Sequence, residues 1–242
     1  MFLSLFWPFL LKNHHFLTLQ FLKMHVLITG STGMVGKSVL IECLEHENVK
    51  KITVINRSSL GLKDSKIHEI IHTDFLNLRS LKPKIKSYDA CFHCMGVSSI
   101  GMKENRYTEL TLDVTKKLVD LMFEKNPNMI FNYVSGTATD SSEKGKIMWA
   151  RVKGMTENYI FKKGFKDAYA FRPGGIIPEK GVKYKTAWIN FLLIILQPFF
   201  PLFSKLFVRS SDFGLAMINS VIFPQELKIL ENRDIKNLSK KP

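Results

Sequence analysis

Three glycines at fixed spacing, set between a short strand and a helix, constrain this chain more than any other feature. Residues 25–29 (HVLIT) form an apolar run bounded by Gly30, which reads as a buried strand. Gly30, Gly33 and Gly36 follow as G-x-x-G-x-x-G. From Gly36 to about His46 apolar residues recur with helical period, and Val39, Leu40, Cys43 and Leu44 share a face. Strand and helix then alternate. Strands are predicted over 51–56, 69–72, 89–93, 129–134 and 168–171. Helices are predicted over 107–123 and 147–163, the second ended by Gly164 as a C-cap. This alternation specifies an α/β fold, a doubly wound parallel sheet with helices on both faces. Beyond Arg172 the pattern changes. An apolar helix over 187–196 is cut by Pro198 and Pro201, a helix runs from Asp212, a good N-cap residue, to about Ile222, and 227–230 fits a last strand. The expectation is one domain over 24–242, with 173–242 as a small C-terminal lobe on the substrate side.

The chemistry of the turn follows from where it sits. The first glycine permits a tight turn, the second lets backbone approach a pyrophosphate, and the third lets helix and strand pack closely. The helix start offers unpaired N–H groups and a positive dipole end to phosphate. A Rossmann dinucleotide site is therefore expected, with Gly30, Ser31, Thr32, Gly33, Met34 and Val35 around the pyrophosphate. In NAD sites an acid at the end of the second strand usually holds the ribose 2′-hydroxyl. Here that strand ends Asn56-Arg57-Ser58-Ser59, without an acid. Arg57 suits paired, charge-assisted bonds to a 2′-phosphate, so NADP(H) is expected ahead of NAD(H).

Composition agrees with a packed globular chain of 242 residues, 45% hydrophobic and 23% charged. A formal charge of +14 favours anionic partners, a dinucleotide among them. The basic residues are scattered, and the densest group, Lys236, Lys240 and Lys241, reads as a solvated tail. No nucleic-acid-binding motif is present, and nucleic acid is not an expected partner. Three cysteines, an odd and low count, favour a reducing compartment, hence the cytoplasm. Cys91 and Cys94 form C-x-x-C, but three apart on a strand they point to opposite faces. Two buried free thiols are expected, and no metal site. Residues 1–23 are apolar and aromatic, broken by Pro8 and by Lys12, Asn13, His14 and His15. They suit neither a secretory signal nor a spanning helix of about 20 apolar residues. The expectation is that Met24 is the natural start and the leader a misassigned one; a peripheral membrane anchor is the alternative.

Further positions fall in a recognisable order: the glycine turn, Asp74-Phe75, Cys94-Met95-Gly96, Ser135, and Phe171-Arg172-Pro173-Gly174. With them the chain resembles the atypical, extended-type short-chain dehydrogenase/reductase superfamily. The nearest branch is that of the Tat-interacting-protein-like and NmrA-like NAD(P)-binding proteins. The likeness runs from Met24 to about Arg172 and, more loosely, to about Leu230. It implies that Asp74 and Phe75 contact adenine and that Cys94, Met95 and Gly96 form the small-residue loop passing the cofactor. It makes Ser135 the active-site serine and sets Arg172 and Pro173 beside the nicotinamide. The family signature Tyr-x-x-x-Lys is here Trp149-Ala150-Arg151-Val152-Lys153.

In that family the tyrosine exchanges a proton while hydride moves, and the lysine lowers the tyrosine pKa and binds the ribose. An indole N–H only donates, so Trp149 cannot act as a general acid–base group. Lys153 keeps ribose binding and electrostatics, Ser135 orients a carbonyl, and Trp149 packs over the pocket. Tyr133, two residues before Ser135 on one strand face, is the alternative proton donor; Tyr159 is wrongly phased. Two functions stay open. One is an NADP(H)-dependent oxidoreductase or epimerase-like enzyme on a small, partly apolar substrate, with Ser135 and Lys153 catalytic. The other is a non-catalytic, redox-sensing dinucleotide-binding regulator. The apolar segment 187–209, flanked by Lys183, Lys185, Lys205 and Arg209, is expected to be a buried lid or a homodimer contact. Peripheral contact with an anionic membrane is its alternative role.

Overall fold

The computed structural model describes residues 23–184 and 205–242. The first β-α-β unit is β1 (Met24–Thr29), α1 (Met34–Glu45) and β2 (Val49–Asn56), followed by β3 (Ile67–Ile71) and β4 (Ala90–His93). A helix in three parts comes next: α2 (Glu104–Thr108), a π turn (Glu109–Asp113) and α3 (Val114–Lys125). Then come β5 (Ile130–Val134), α4 (Met148–Lys163), β6 (Asp167–Arg172) and β7 (Gly175–Ile177). The described chain closes with β8 (Phe207–Arg209), α5 (Ser210–Ile222), β9 (Ile229–Glu231) and α6 (Asn232–Ser239). The leader through residue 22 and the helix predicted over 187–196 lie outside the described residues.

Seven strands form one parallel sheet in the order β3-β2-β1-β4-β5-β6-β9. The chain therefore has the Rossmann-type α/β fold that the alternation predicts. Strand order reverses between β1 and β4, which opens a crevice at their carboxyl ends. Alternation along β1 sorts the core into two layers. Met24, Val26 and Ile28 face one side, with Val39, Leu40 and Cys43 of α1 and Phe213, Ala216 and Met217 of α5. Leu27 faces the other, with Leu118, Val119 and Met122 of α3 and Ile160 of α4. Cys91 belongs to the second layer and Cys94 packs against the first, so the C-x-x-C thiols do point apart and both are free, but only Cys91 is buried and Cys94 is half-buried beside the turn.

Four details depart from the sequence reading. The helix expected over 107–123 carries the π turn, which shifts the face presented on either side of it. Asp212 does not cap α5: the helix starts two residues earlier, with Arg209 at the N-cap and Asp212 in the first turn. Ser210 is drawn into the helix start because its Oγ accepts the Glu179 N–H at 2.9 Å. The strand expected over 227–230 is β9, the seventh strand of the main sheet, so this stretch completes the core. The basic end is solvated at Lys240 and Lys241, yet it is anchored. Glu231 and Asp234 form a capping box for α6, and Asn219 Nδ2 donates to the carbonyls of Leu238 and Lys241 at 2.9 and 3.1 Å. The pairing of β7 with β8 in a small separate sheet gave no sequence signal, since each strand is three residues long.

A Cβ at position 36 stands 2.3 Å from the Gly30 carbonyl oxygen, a contact that only backbone movement relieves. Gly36→Ala is expected to destabilise the fold by about 2–3 kcal/mol, the cost of overpacking a rigid interior. Urea unfolding measures this; an unchanged midpoint contradicts the tight crossing.

Candidate functional site

A cavity of about 340 Å³ opens at the switch point between β1 and β4. Its floor is the glycine turn. Gly30 sits at φ +74°, where an L side chain is strained, and a Cβ there stands 2.9 Å from the Cys94 carbonyl and Met95 N. The turn and the loop after β4 thus meet through bare backbone. Gly33 is the N-cap of α1 without a side-chain cap, and the first turn of α1 carries no acid. The positive end of the helix dipole therefore faces the cavity uncompensated.

The cavity gathers Gly30, Thr32, Gly33, Arg57, Asp74, Phe75, Cys94, Met95 and Gly96 from the residues the sequence singled out. Ser31 is buried below them, its Oγ donating to Asn56 Oδ1 at 3.0 Å, so it serves the turn from behind. Met34 and Val35 are half-buried in α1 and pack against the core; their side chains do not line the cavity. Sequence reasoning missed Arg106, Glu109 and Leu110, which line the far wall. They flank or belong to the π turn, and helical periodicity carries no signal for that local unwinding. Arg106 Nη1 donates to Glu109 Oε1 at 2.8 Å.

The end of β2 keeps the charge pattern of the sequence. Arg57 is exposed at the end of β2. Glu69 on β3 comes near, but its carboxylate accepts from Ser59 Oγ at 2.7 Å and from Leu60 N at 2.8 Å. It braces the β2–β3 loop and does not line the cavity.

The other half of the expected site lies beyond the cavity's lining, around the end of β5. Ser135 is buried, its N–H donating to the Phe171 carbonyl at 2.8 Å, its Oγ 3.0 Å from Thr139 Oγ1. Lys153 Nζ stands 3.4 Å from the Val134 carbonyl oxygen and 5.5 Å from the centre of the Tyr133 ring. Burial holds the lysine's pKa down to about 8, and Glu157 one turn along α4 partly offsets this. Trp149 packs with Tyr107, Leu112 and Val152 in a small apolar cluster, as a packing residue does. Tyr133 cannot take the missing tyrosine's place. It is 1% exposed and stacked on His93, and burial pushes its phenol far above the usual range. Tyr159 donates to Asp120 on the opposite flank of α4. Arg172, read from the sequence as a cofactor residue, turns its guanidinium inward to a buried pair with Glu157, and Pro173 is buried beside it. Among the described residues no cluster of metal ligands is found.

Residues 26–156, more than half of the chain, match the NAD dependent epimerase/dehydratase family, and the chain belongs to it. It is similar to protein HTATIP2 of Rattus norvegicus, 23% identical over 224 residues covering 89% of each chain. It is also similar to protein FMP52, mitochondrial, of Kluyveromyces lactis, 24% identical over 67% of this chain and 71% of that one. The fold matches the Bordetella bronchiseptica enzyme WbmH in complex with NAD+, with a TM-score of 0.62 and 17% identity over 86% of this chain and 74% of that one.

Beneath the turn a buried polar relay joins three elements. His93 Nδ1 lies 2.7 Å from Thr29 Oγ1 and Nε2 lies 3.0 Å from Thr115 Oγ1. Thr115 donates onward to the Thr111 carbonyl, so it accepts from Nε2–H and Nδ1 accepts from Thr29. The ring is thus neutral by its partners. Burial, with the nearby Lys153 charge, lowers its pKa to about 3. Unfolding restores an ordinary histidine, so the unfolded chain binds the extra proton between about pH 6 and 3. Stability is expected to fall on acidification through that window, this one group contributing about 1.4 kcal/mol per pH unit. His93→Gln should flatten the slope by one proton in urea unfolding at several pH values. An identical slope in the variant contradicts the assignment.

Proposed function

We propose that this chain is an NADP(H)-binding oxidoreductase or epimerase-like enzyme acting on a small, partly apolar substrate. The observation that carries the reading is the composition of the cavity: bare glycine backbone, an uncapped helix start, and Arg57 at the end of a β2 that carries no acid. The cavity suits a dinucleotide because Gly30, Gly33 and Gly96 line it without side chains. When bound, the dinucleotide supplies hydride transfer.

The chain's own residues do the remainder. Backbone N–H groups of Met34 and Val35 hold the pyrophosphate, the Gly33 N–H being taken by the Gly30 carbonyl, while Thr32 borders it. Arg57 forks the 2′-phosphate. Asp74 and Phe75 hold the adenine, and Cys94, Met95 and Gly96 pass along the cofactor without large side chains in the way. Lys153 binds the nicotinamide ribose and lends positive charge, and the Ser135 hydroxyl orients a substrate carbonyl. Pro173 borders the nicotinamide, and Arg172 stands behind it with its guanidinium on Glu157. The cluster of Val97, Met102 and Trp149 supports a partly apolar substrate. Because Trp149 cannot release a proton, solvent or a substrate group supplies it. Free, unpaired cysteines suit the cytoplasm, and the basic flanks of 187–209 suit a homodimer or a peripheral membrane contact. No helix among the described residues is long and apolar enough to cross a membrane.

A second reading, a non-catalytic redox-sensing regulator, is favoured by one specific observation. Trp149 is packed and Tyr133 is enclosed, so neither is placed to perform the proton step.

Nicotinamide fluorescence on titration with NADPH and NADH tests the cofactor assignment. The wild type should prefer NADPH, and Arg57→Ala should weaken NADPH about ten- to a hundred-fold with NADH unchanged. Equal loss for both removes Arg57 from the ribose site. Trp149→Tyr should raise turnover of carbonyl substrates. Tight NADPH binding with no turnover in either form selects the regulator.

A further inference from the structure

Arg172 lies at the end of β6 and Glu157 on α4, and the two side chains are 8% and 1% exposed as residues. Arg172 Nε donates to Glu157 Oε1 at 3.0 Å, and its Nη2 donates both to Glu157 Oε2 and to Ser141 Oγ. Its Nη1 lies 3.9 Å from Glu231 of β9, whose Oε2 accepts from Thr137 Oγ1 at 3.0 Å. One guanidinium thus joins α4, β6, β9 and the loop that runs from Ser135 to α4. The same loop is fixed elsewhere by backbone. Thr137 N donates to the Pro173 carbonyl at 3.0 Å and Asp140 N to the Ala150 carbonyl at 3.1 Å. A Cβ on Gly154 would stand 1.8 Å from the Asp140 carbonyl oxygen, so the loop lies directly on the helix beside Lys153.

Glu157 follows Lys153 by four residues on α4, on the same helix face. Among the described residues the groups around the lysine are few. Glu157 faces it from its own helix, Tyr133 from β5, and His93 from β4 behind Tyr133. Tyr107 of α2 acts on Tyr133, and Arg172 and Glu231 reach Glu157 from β6 and β9. A carboxylate this deep survives ionised only with a partner and its lone pairs filled. Arg172 supplies both, and by doing so it competes with Lys153 for the same negative charge.

We propose that the Arg172–Glu157 pair is a positioning device for Ser135 and Lys153. Arg172 locks the loop after Ser135 onto the helix that carries Lys153, and it meters how much of the Glu157 charge reaches the lysine. The inference rests on reading Ser135 and Lys153 as the catalytic pair. It assigns Arg172 a place behind the site, joined to it through other residues.

The test follows Lys153 directly by carbon–proton NMR of the full chain labelled at lysine Cε, with the signal identified through Lys153→Arg. Glu157→Gln should lower the pH at which Lys153 titrates by about one unit, and Arg172→Met should raise it. Arg172→Lys should restore values near the wild type. The double variant Glu157→Met with Arg172→Met removes both charges, keeps the fold where a single change fails, and should follow Glu157→Gln. An unmoved Lys153 in all variants, or shifts of one sign in both single variants, overturns the proposal. NADPH titration of the same samples separates the two layers of the argument. Absence of NADPH binding in the wild type refutes the cofactor reading, while the lysine titration still judges the ion pair.

Discussion

The Gly36 backbone crosses the Gly30 carbonyl so closely that a methyl group would stand 2.3 Å from it. That crossing sets the angle at which α1 leaves β1, and the rest of the site follows. It brings the uncapped start of α1 to the carboxyl ends of β1 and β4. It also lets the loop after β4 close against Gly30 through backbone alone. A helix dipole, a bare turn and a crevice are then brought to one place by the backbone crossing.

Polarity in the interior rises toward that same end of the sheet. The lower parts of β1 and β2 bury Val26, Leu27, Ile52 and Val54, apolar residues that need no partners. Toward the carboxyl ends the buried residues come to include Thr29, Asn56, His93 and Arg172, each hydrogen-bonded to a neighbouring element. Polar groups at this depth cost free energy unless they are satisfied, so their geometry is tightly determined. The strand ends are thereby held in register by directional bonds, where a binding site needs fixed positions more than it needs extra hydrophobic area.

The fold was legible because its signals are local. The glycine spacing, the apolar runs and the Gly164 cap each depend on a few neighbouring residues, and Gly164 does take the left-handed conformation at the end of α4. Half of the candidate site was legible for the same reason, since Thr32, Arg57, Asp74 and Cys94 follow strands directly. What sequence could not show depends on long-range pairing. Arg172 is spaced as a cofactor residue, yet Glu157 fifteen positions earlier captures its guanidinium. Arg106 and Leu110 reach the cavity because of a π turn, a change of hydrogen-bond register that side-chain periodicity does not encode. Lys236 looked like part of a tail because the capping box and the Asn219 contacts that fix its helix join distant parts of the chain.

A crystal structure of the protein soaked with NADP+ tests the central claim most directly. The account predicts pyrophosphate density against the N–H groups at the start of α1, adenine beside Asp74 and Phe75, and the 2′-phosphate at Arg57. A cavity without dinucleotide, or a dinucleotide bound with its 2′-phosphate away from Arg57, contradicts it.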